Sequence, residues 1–243
     1  MAPSIRPTRI ERSVNGYAEG SALITAGRTK VLVTASVLPE VPPFLRGTQS
    51  GWITAEYGML PRSTRERKPR ADGRNRPDGR ALEIQRLVGR ALRQVAEVGY
   101  LAGHTVCVDC DVLEADGGTR VASVNAGVVA LVEALVWMKR KGLIPGVPAK
   151  QLVSASSVVR LRGEAVLDPD YEADSSAEMD LNAVFAESGE LVEIQATAEK
   201  SPASEEQVRE MTALAREGAR QVMGAIRAAI GPELLAESGF ARQ

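Results

Sequence analysis

Residues 105–136 decide the fold and read TVCVDCDVLEADGGTRVASVNAGVVALVEALV. The first part alternates apolar and polar residues with a period of two, which predicts a β-strand through Val112. The last part repeats apolar residues at intervals of three and four, which predicts a buried helix. Gly117 and Gly118 therefore lie at a turn from a strand into a helix.

This turn is a candidate anion site. The first amides of a helix have no partner within the helix and carry the positive end of its dipole. Arg120 has the unfavourable charge for the first helical turn, at a cost of about 0.3–1 kcal/mol. A bound phosphate would reverse that sign. A glycine pair can also serve the turn alone, with Arg120 in solvent, and these residues by themselves favour neither interpretation.

The composition is that of an ordinary globular protein. The chain has 243 residues, 44% of them hydrophobic, which is enough for one domain with a substantial core. No uninterrupted apolar run approaches about 18 residues, as a membrane span requires. Residues 1–7 contain no apolar stretch of the kind that a secretion signal needs. We therefore expect a cytoplasmic protein without a membrane partner.

The thiols and the imidazole offer little chemistry. Cys107 and Cys110 are three residues apart on the predicted strand, so their side chains point to opposite faces, which suits neither metal ligation nor a redox pair. His104 is the only histidine and lies in a loop before the strand. We expect the chemistry to depend on carboxylates, arginines, a metal ion or the substrate itself.

The net charge of −1 conceals two segments of opposite charge. Residues 62–93 contain eleven Arg and Lys against four Asp and Glu, and residues 164–210 contain two against fourteen. This segregation predicts one surface for a polyanion and another for a cation, although a solvated charged face would have the same composition.

The basic segment divides into a loop and a helix. Residues 61–79 are rich in Arg, Pro and Gly and have no apolar period, which predicts a loop. From about Ala81 a helical period places apolar residues on one face and Arg86, Arg90 and Arg93 on the other.

Carboxylates are concentrated before the last predicted hairpin, at Asp168, Asp170, Asp174, Glu178 and Asp180. Asp174 and Asp180 would be about 20 Å apart in an extended chain, so they can share one cation only if the chain bends near residues 175 and 176. Converging carboxylates suit Mg²⁺ or Mn²⁺. An acidic solvated loop is the alternative, and the segment alone favours it slightly.

Four segments, in order, resemble bacterial ribonuclease PH. They are GWITAEYGMLPR at 51–62, EIQRLVGRALR at 83–93, residues 109–120, and LVEIQATAE at 191–199. The resemblance extends from about Arg6 to the predicted final helix. That family consists of phosphate-dependent 3′→5′ exoribonucleases that trim the 3′ ends of tRNA precursors.

The resemblance implies an α/β (α+β) fold, with mixed sheets covered by helices, in which one domain contains duplicated βαβα halves, 1–145 and 146–243. It also implies a hexameric ring built as a trimer of dimers. The implied phosphate site is Arg86, Gly118, Thr119 and Arg120, and the implied Mg²⁺ or Mn²⁺ site is Asp174 and Asp180. The catalytic set would be Arg86, Thr119, Arg120, Asp174 and Asp180. RNA would contact Arg62, Arg65, Arg67, Lys68, Arg70, Arg74, Arg76 and Arg80.

The implied reaction is an attack by inorganic phosphate, the co-substrate, on the last phosphodiester of a tRNA precursor, which releases a nucleoside 5′-diphosphate. We expect Arg86 and Arg120 to meet on that phosphate. A catalytically inactive RNA-binding ring subunit of the same fold is the alternative, and retention of the arginines and aspartates argues against it. A small-molecule phosphotransferase is a third possibility, but the sequence contains no P-loop motif.

Overall fold

Two sheets form the framework of the computed structural model, which describes residues 3–70 and 78–242. The first sheet consists of β1 (Thr8–Arg12), β2 (Gly20–Ala26), β3 (Thr29–Leu38), β4 (Trp52–Met59) and β5 (Thr105–Glu114). Their spatial order is β1-β2-β3-β5-β4. β4 runs parallel to β5 and the other neighbours are antiparallel, so this sheet is mixed as predicted.

The second sheet consists of β6 (Val153–Leu161), β7 (Glu164–Leu167), β8 (Met179–Ala186) and β9 (Leu191–Ala198), in the order β7-β6-β8-β9. It is antiparallel throughout, unlike the first sheet. The α-helices are α1 (Gly79–Leu92), α2 (Thr119–Arg140), α3 (Tyr171–Ser176) and α4 (Glu205–Ser238). The predicted α/β class, with sheets covered by helices, is confirmed.

Helix α2 lies in the interior and contacts strands of both sheets as well as α4. Seventeen of its 22 residues are buried, so the single apolar stripe predicted from its sequence understates its burial. The backbone of α2 packs directly against β2, because a Cβ on Gly20 would lie 2.0 Å from the Ala130 carbonyl oxygen. Its length and hydropathy are those of a membrane span, but 89% of the apolar window is buried inside the fold.

Helix α1 has the predicted apolar face, on which Ile84, Leu87, Val88, Ala91 and Leu92 are buried. Its cationic face is partly used within the chain. Arg90 forms an ion pair with Glu193 of β9, and Arg93 stacks 4.5 Å from the centre of the Trp52 ring. Part of the basic segment therefore serves packing.

Helix α4, the predicted final helix, begins with a capping box in which Ser204 and Gln207 bond each other's backbone amides. Gly231, at φ 76°, breaks the helix. The residues after this break bury Leu234, Leu235 and Phe240 in the core.

The cysteines and the histidine lie where the sequence predicts. Cys110 is buried and Cys107 is half-buried, and both thiols are free. Burial raises the pKa of Cys107 to about 11, and it also raises the pKa of Cys110. His104 Nδ1 lies 3.1 Å from the carbonyl oxygen of Leu101 in the preceding loop.

Asn125 joins α2 to the second sheet. Its side chain donates to the Ala155 carbonyl oxygen at 2.9 Å and accepts from the Ala155 amide at 2.7 Å, and both bonds are buried. β7 pairs with β6 only at residues 158–161. Asn125 therefore takes the place of a strand partner at Ala155.

Replacing Asn125 by alanine should destabilise the protein by about 2–4 kcal/mol, because two buried backbone groups lose their partner and water cannot replace it. Urea unfolding measures this loss. Ser123→Ala is the matched control, since the Ser123 hydroxyl donates to Thr119 in its own helix, and it should cost about 1 kcal/mol. Equal losses in the two variants would contradict this role of Asn125.

Candidate active site

A groove of about 1710 Å³ opens where the N-terminus of α2 meets the second sheet. Its walls come from residues 62–69, the first turn of α1, residues 113–120, α3 with Asp180, and residues 194–200. The basic and acidic segments, which are far apart in the sequence, therefore face each other across one opening. Of the predicted site residues, Gly118, Thr119, Arg120, Asp174 and Asp180 line it.

The turn into α2 requires glycine at two positions. Gly117 and Gly118 have φ values of 80° and 68°, in the left-handed region that favours glycine. A Cβ on Gly117 would lie 2.4 Å from the carbonyl oxygen of Pro169, which is too close for any real contact. The turn is thus packed directly against the backbone that leads from β7 to α3.

The N-terminus of α2 has amides available for an anion. Gly118 is the N-cap and provides no capping side chain. Within the described part of the chain, no acceptor bonds the amides of Thr119, Arg120 or Val121. Together with the helix dipole, these donors attract negative charge.

Thr119 and Arg120 are held by neighbours. The Thr119 hydroxyl lies 2.9 Å from the buried hydroxyl of Tyr57. Burial raises the pKa of Tyr57, while Thr119, Arg80 and Arg120 lower it, so Tyr57 is a neutral hydroxyl at pH 7. Arg120 Nη1 lies 3.5 Å from a carboxylate oxygen of Glu83 and 3.5 Å from the amide oxygen of Gln195.

Arg80 and Arg86, both on α1, differ in their position relative to the groove. Arg86 is exposed and lies outside the groove lining, whereas Arg80 is part of the lining. The Asp78 side chain accepts from the Arg80 amide, which starts α1 at Gly79 and places Arg80 in the first helical turn. Six residues of helix then separate Arg86 from Arg80 by about 9 Å along the axis. Glu83, which pairs with Arg120, lies one helical turn from Arg80 and one turn from Arg86. The pairing of Arg86 with Arg120 on one phosphate stays a prediction, and Arg80 is a second arginine of α1 at the groove.

The carboxylates of the acidic segment have different roles. Asp168 pairs with Arg6, and Asp170 caps α3 by accepting from the Ala173 amide at 2.9 Å. Glu178 precedes β8 and lies outside the groove lining. Of these five carboxylates, Asp174 and Asp180 line the groove. Helix α3 provides the bend near residues 175 and 176 without which the two could not share a cation.

Asp180 has the properties of a metal ligand. Its Oδ1 atom is buried and has no hydrogen-bond partner. Burial raises the pKa of Asp180, Arg120 lowers it, and Asp174 and Glu199 raise it further. A divalent cation would satisfy the unpaired oxygen and relieve the repulsion between the carboxylates. Residues 3–70 and 78–242 contain no group of three metal-ligating side chains, so water or substrate would complete the shell.

The predicted RNA contacts divide by position. Arg62, Arg65, Arg67, Lys68 and Arg80 line the groove. Arg70 is exposed beyond it. Arg74 and Arg76 lie outside the described residues. The groove thus has a basic wall beside the candidate phosphate site, suited to a polyanion.

The fold and this site define a class of protein. Residues 4–136 match domain 1 of the 3′ exoribonuclease family, RNase PH, and residues 151–218 match domain 2. The chain belongs to this family. The family-level part of the resemblance seen in the sequence is thereby confirmed.

Solved structures share the fold. A chain of the Archaeoglobus fulgidus exosome with RNA bound to the active site is 22% identical, with a TM-score of 0.75 over 92% of this chain and 89% of that one. Rice (Oryza sativa) Rrp46 is 21% identical, with a TM-score of 0.73 over 93% and 95%. A chain of an archaeal exosome core is 22% identical, with a TM-score of 0.73 over 91% and 87%. At these identities the similarity establishes the fold alone, and the function has to be argued from the residues of the groove.

Gly117→Ala should destabilise the protein by about 2–4 kcal/mol, because backbone strain is added to a clash with an immobile backbone atom. Gly142→Ala is the matched control, since Gly142 has a φ of 71° but no atom within 4 Å of the added Cβ. It should cost about 1 kcal/mol from strain alone. Thermal or urea unfolding compares the two, and an equal loss would show that the turn is not tightly packed.

Proposed function

We propose that the protein is a phosphorolytic 3′→5′ exoribonuclease similar to bacterial ribonuclease PH. It uses inorganic phosphate to remove 3′-terminal nucleotides of RNA as nucleoside 5′-diphosphates. The observation that carries this proposal is the convergence of Arg80, Arg120 and Thr119 at the open N-terminus of α2, opposite Asp174 and Asp180. A cationic anion site and a carboxylate pair in one groove are what phosphate and a terminal phosphodiester require.

Charge neutralisation is the main catalytic requirement. Both the attacking phosphate and the phosphodiester are anionic, and like unit charges 4 Å apart repel by about 4 kcal/mol at an effective dielectric constant of about 20. Arg80 and Arg120 can each present two parallel N–H groups to phosphate oxygens. The Thr119 hydroxyl and the amides at the start of α2 orient the nucleophile.

The reaction balances without a protein nucleophile. A phosphate oxygen forms a bond to the phosphorus of the last nucleotide, and the bond from that phosphorus to the 3′ oxygen of the preceding nucleotide breaks. The 3′ oxygen takes the proton that the attacking hydrogen phosphate loses and becomes the new RNA terminus. The single histidine is not needed, because phosphate supplies the attacking oxygen.

Asp174 and Asp180 would hold Mg²⁺ or Mn²⁺, which, when bound, adds positive charge beside the reacting phosphates. The unpaired Oδ1 of Asp180 supports this assignment. The two carboxylates would leave room for water and phosphate oxygens, which suits a hard cation that keeps part of its water shell.

The biological setting follows from the resemblance to bacterial ribonuclease PH. It supports tRNA precursors as substrates, a homohexameric ring built as a trimer of dimers, and a cytoplasmic location. The fold is also that of a chain in an exosome with RNA bound to its active site. The basic wall of the groove would hold the RNA backbone near its 3′ end.

An inactive RNA-binding ring subunit is the second candidate, because two of the solved structures with this fold are chains of exosomes. Incubation with a short RNA, Mg²⁺ and phosphate separates the two. Formation of nucleoside diphosphates supports the enzyme, and RNA binding without products supports the inactive subunit.

Arg80→Ala and Arg120→Ala should each lower the rate of diphosphate formation by about 100- to 1000-fold, as expected when a preorganised charge donor is lost. Arg140→Ala is the matched control at the other end of α2 and should remain within a few-fold of wild type, because Arg140 pairs with Glu237 and is outside the groove lining. Chromatographic quantification of the diphosphates measures the rates. A fast Arg80→Ala variant, or equal damage from Arg140→Ala, would remove Arg80 from the proposed phosphate site.

RNA binding should weaken steeply with salt because it depends on phosphate contacts. Arg67→Ala should reduce the slope of log affinity against log salt concentration by about 0.7, the value for one contact to single-stranded nucleic acid. Arg70→Ala, beyond the groove lining, should leave the slope close to that of wild type. Fluorescence anisotropy with a labelled RNA measures both slopes, and identical slopes for wild type and Arg67→Ala would show that Arg67 makes no such contact.

A further inference from the structure

Arg6 supports the Gly117–Gly118 turn from the side away from the groove. Its Nη2 and Nε donate to the Asp168 carboxylate at 2.7 and 3.0 Å, and its backbone amide donates to the same carboxylate at 2.9 Å. Its Nη1 donates to the carbonyl oxygen of Asp116 at 2.6 Å. One guanidinium thus links the acidic segment to the turn.

The direction of these bonds sets the direction of the amides. Arg6 holds the Asp116 carbonyl, and the Thr29 hydroxyl donates to the Gly117 carbonyl at 2.6 Å. In a trans peptide the N–H points opposite to the carbonyl. The amides of Gly117 and Gly118 are therefore turned away from Arg6 and Thr29.

Asp168 connects the same pair to the carboxylates of the groove. It adopts a left-handed φ of 47°, and its amide donates to Ser157 of β6 at 2.8 Å. Two residues later Asp170 caps α3, which carries Asp174. The Arg6–Asp168 pair therefore ties the start of α2 to the segment that delivers a groove carboxylate.

Neither member of the pair lines the groove. Arg6 and Asp168 instead border a small cavity on the other side of the turn, and Gly118 is common to both openings. Their side chains are only 18% and 12% exposed. An effect of these residues on an anion in the groove must therefore pass through the turn.

We propose that Arg6 and Asp168 are a positioning pair that fixes the amides of the Gly117–Gly118 turn for phosphate and holds the turn at a set distance from Asp174. This proposal rests on the proposed function, because it concerns the same phosphate site. Loss of Arg6 frees the Asp116 carbonyl group and leaves the Asp168 charge uncompensated beside the turn, while Thr29 still donates to the Gly117 carbonyl. Loss of the Asp168 charge leaves the bonds from Arg6 to the turn in place.

The test measures phosphate affinity in the full-length protein through the rise in Tm with inorganic phosphate concentration, which does not require turnover. Arg6→Gln should raise the dissociation constant of phosphate by about 10- to 100-fold, as when outer partners of a metal site are removed. Arg6→Lys keeps the positive charge but loses the paired N–H donors of the guanidinium, and Asp168→Asn keeps the size of the side chain but loses its charge. Both variants should raise the dissociation constant of phosphate less than Arg6→Gln does. If Arg6→Gln does not fold, Arg6→Lys and Asp168→Asn still test the proposal.

Arg140→Gln is the matched control at the other end of α2, where Arg140 forms a two-bond pair with Glu237. It should leave phosphate affinity unchanged even if Tm falls. A purely structural role for Arg6 would lower Tm in the same way without changing phosphate affinity, so an unchanged dissociation constant in the folded Arg6 variants overturns the proposal. Affinity for RNA without phosphate should stay at the wild-type value, and a parallel loss of it also overturns the proposal.

Diphosphate formation by the wild type is measured separately. If the wild type binds phosphate but releases no diphosphates, the proposed function fails while the phosphate series still decides the role of the pair. If the wild type binds no phosphate, both proposals fail.

Discussion

The rest of the structure depends on the burial of α2 between the two sheets. A helix enclosed on all sides meets polar groups mainly at its ends. At the C-terminal end, Lys139 and Arg140 compensate the dipole. The first turn of α2 contains no acidic residue and its N-cap, Gly118, has no side chain, so no residue of the helix itself compensates the positive end of the dipole at the groove. The position of the candidate phosphate site follows from the way the core is packed.

The groove holds cationic and anionic side chains close together, yet some of their polar atoms have no partner within the protein. Arg120 is held by Glu83 and Gln195, and Asp180 keeps an oxygen without a partner. These side chains project from different helices and strands whose spacing is set by the core. A preorganised arrangement of this kind can neutralise charge that an incoming phosphate and an RNA terminus bring with them. The phosphate site therefore depends on the contacts that hold the basic wall of the groove at a fixed distance from the acidic wall.

Local sequence patterns were sufficient for most of the fold. The alternation along β5 and the helical period after residue 118 each depend on residues within a few positions of one another, and the structure contains both elements. The same segments predicted that Thr119 and Arg120 would lie at an anion site. The sequence predicted that Arg80 belongs to the basic segment before the helix, whereas the Asp78 cap starts α1 at Gly79 and places Arg80 in the first turn, at the groove.

The sequence by itself determined the central strand and helix, the family, and the charged segments that face each other in the groove. Only the tertiary structure decided that α3 bends the chain between Asp174 and Asp180, which carboxylates are structural, and how Asn125 and Arg6 join the halves. Arg6 and Asp168 are 162 positions apart, and Asn125 and Ala155 are 30 apart. Periodicity relates residues that are a few positions apart along the chain. The contacts of Arg6 with Asp168 and of Asn125 with Ala155 form only when the two sheets pack around α2, so no local pattern predicts them.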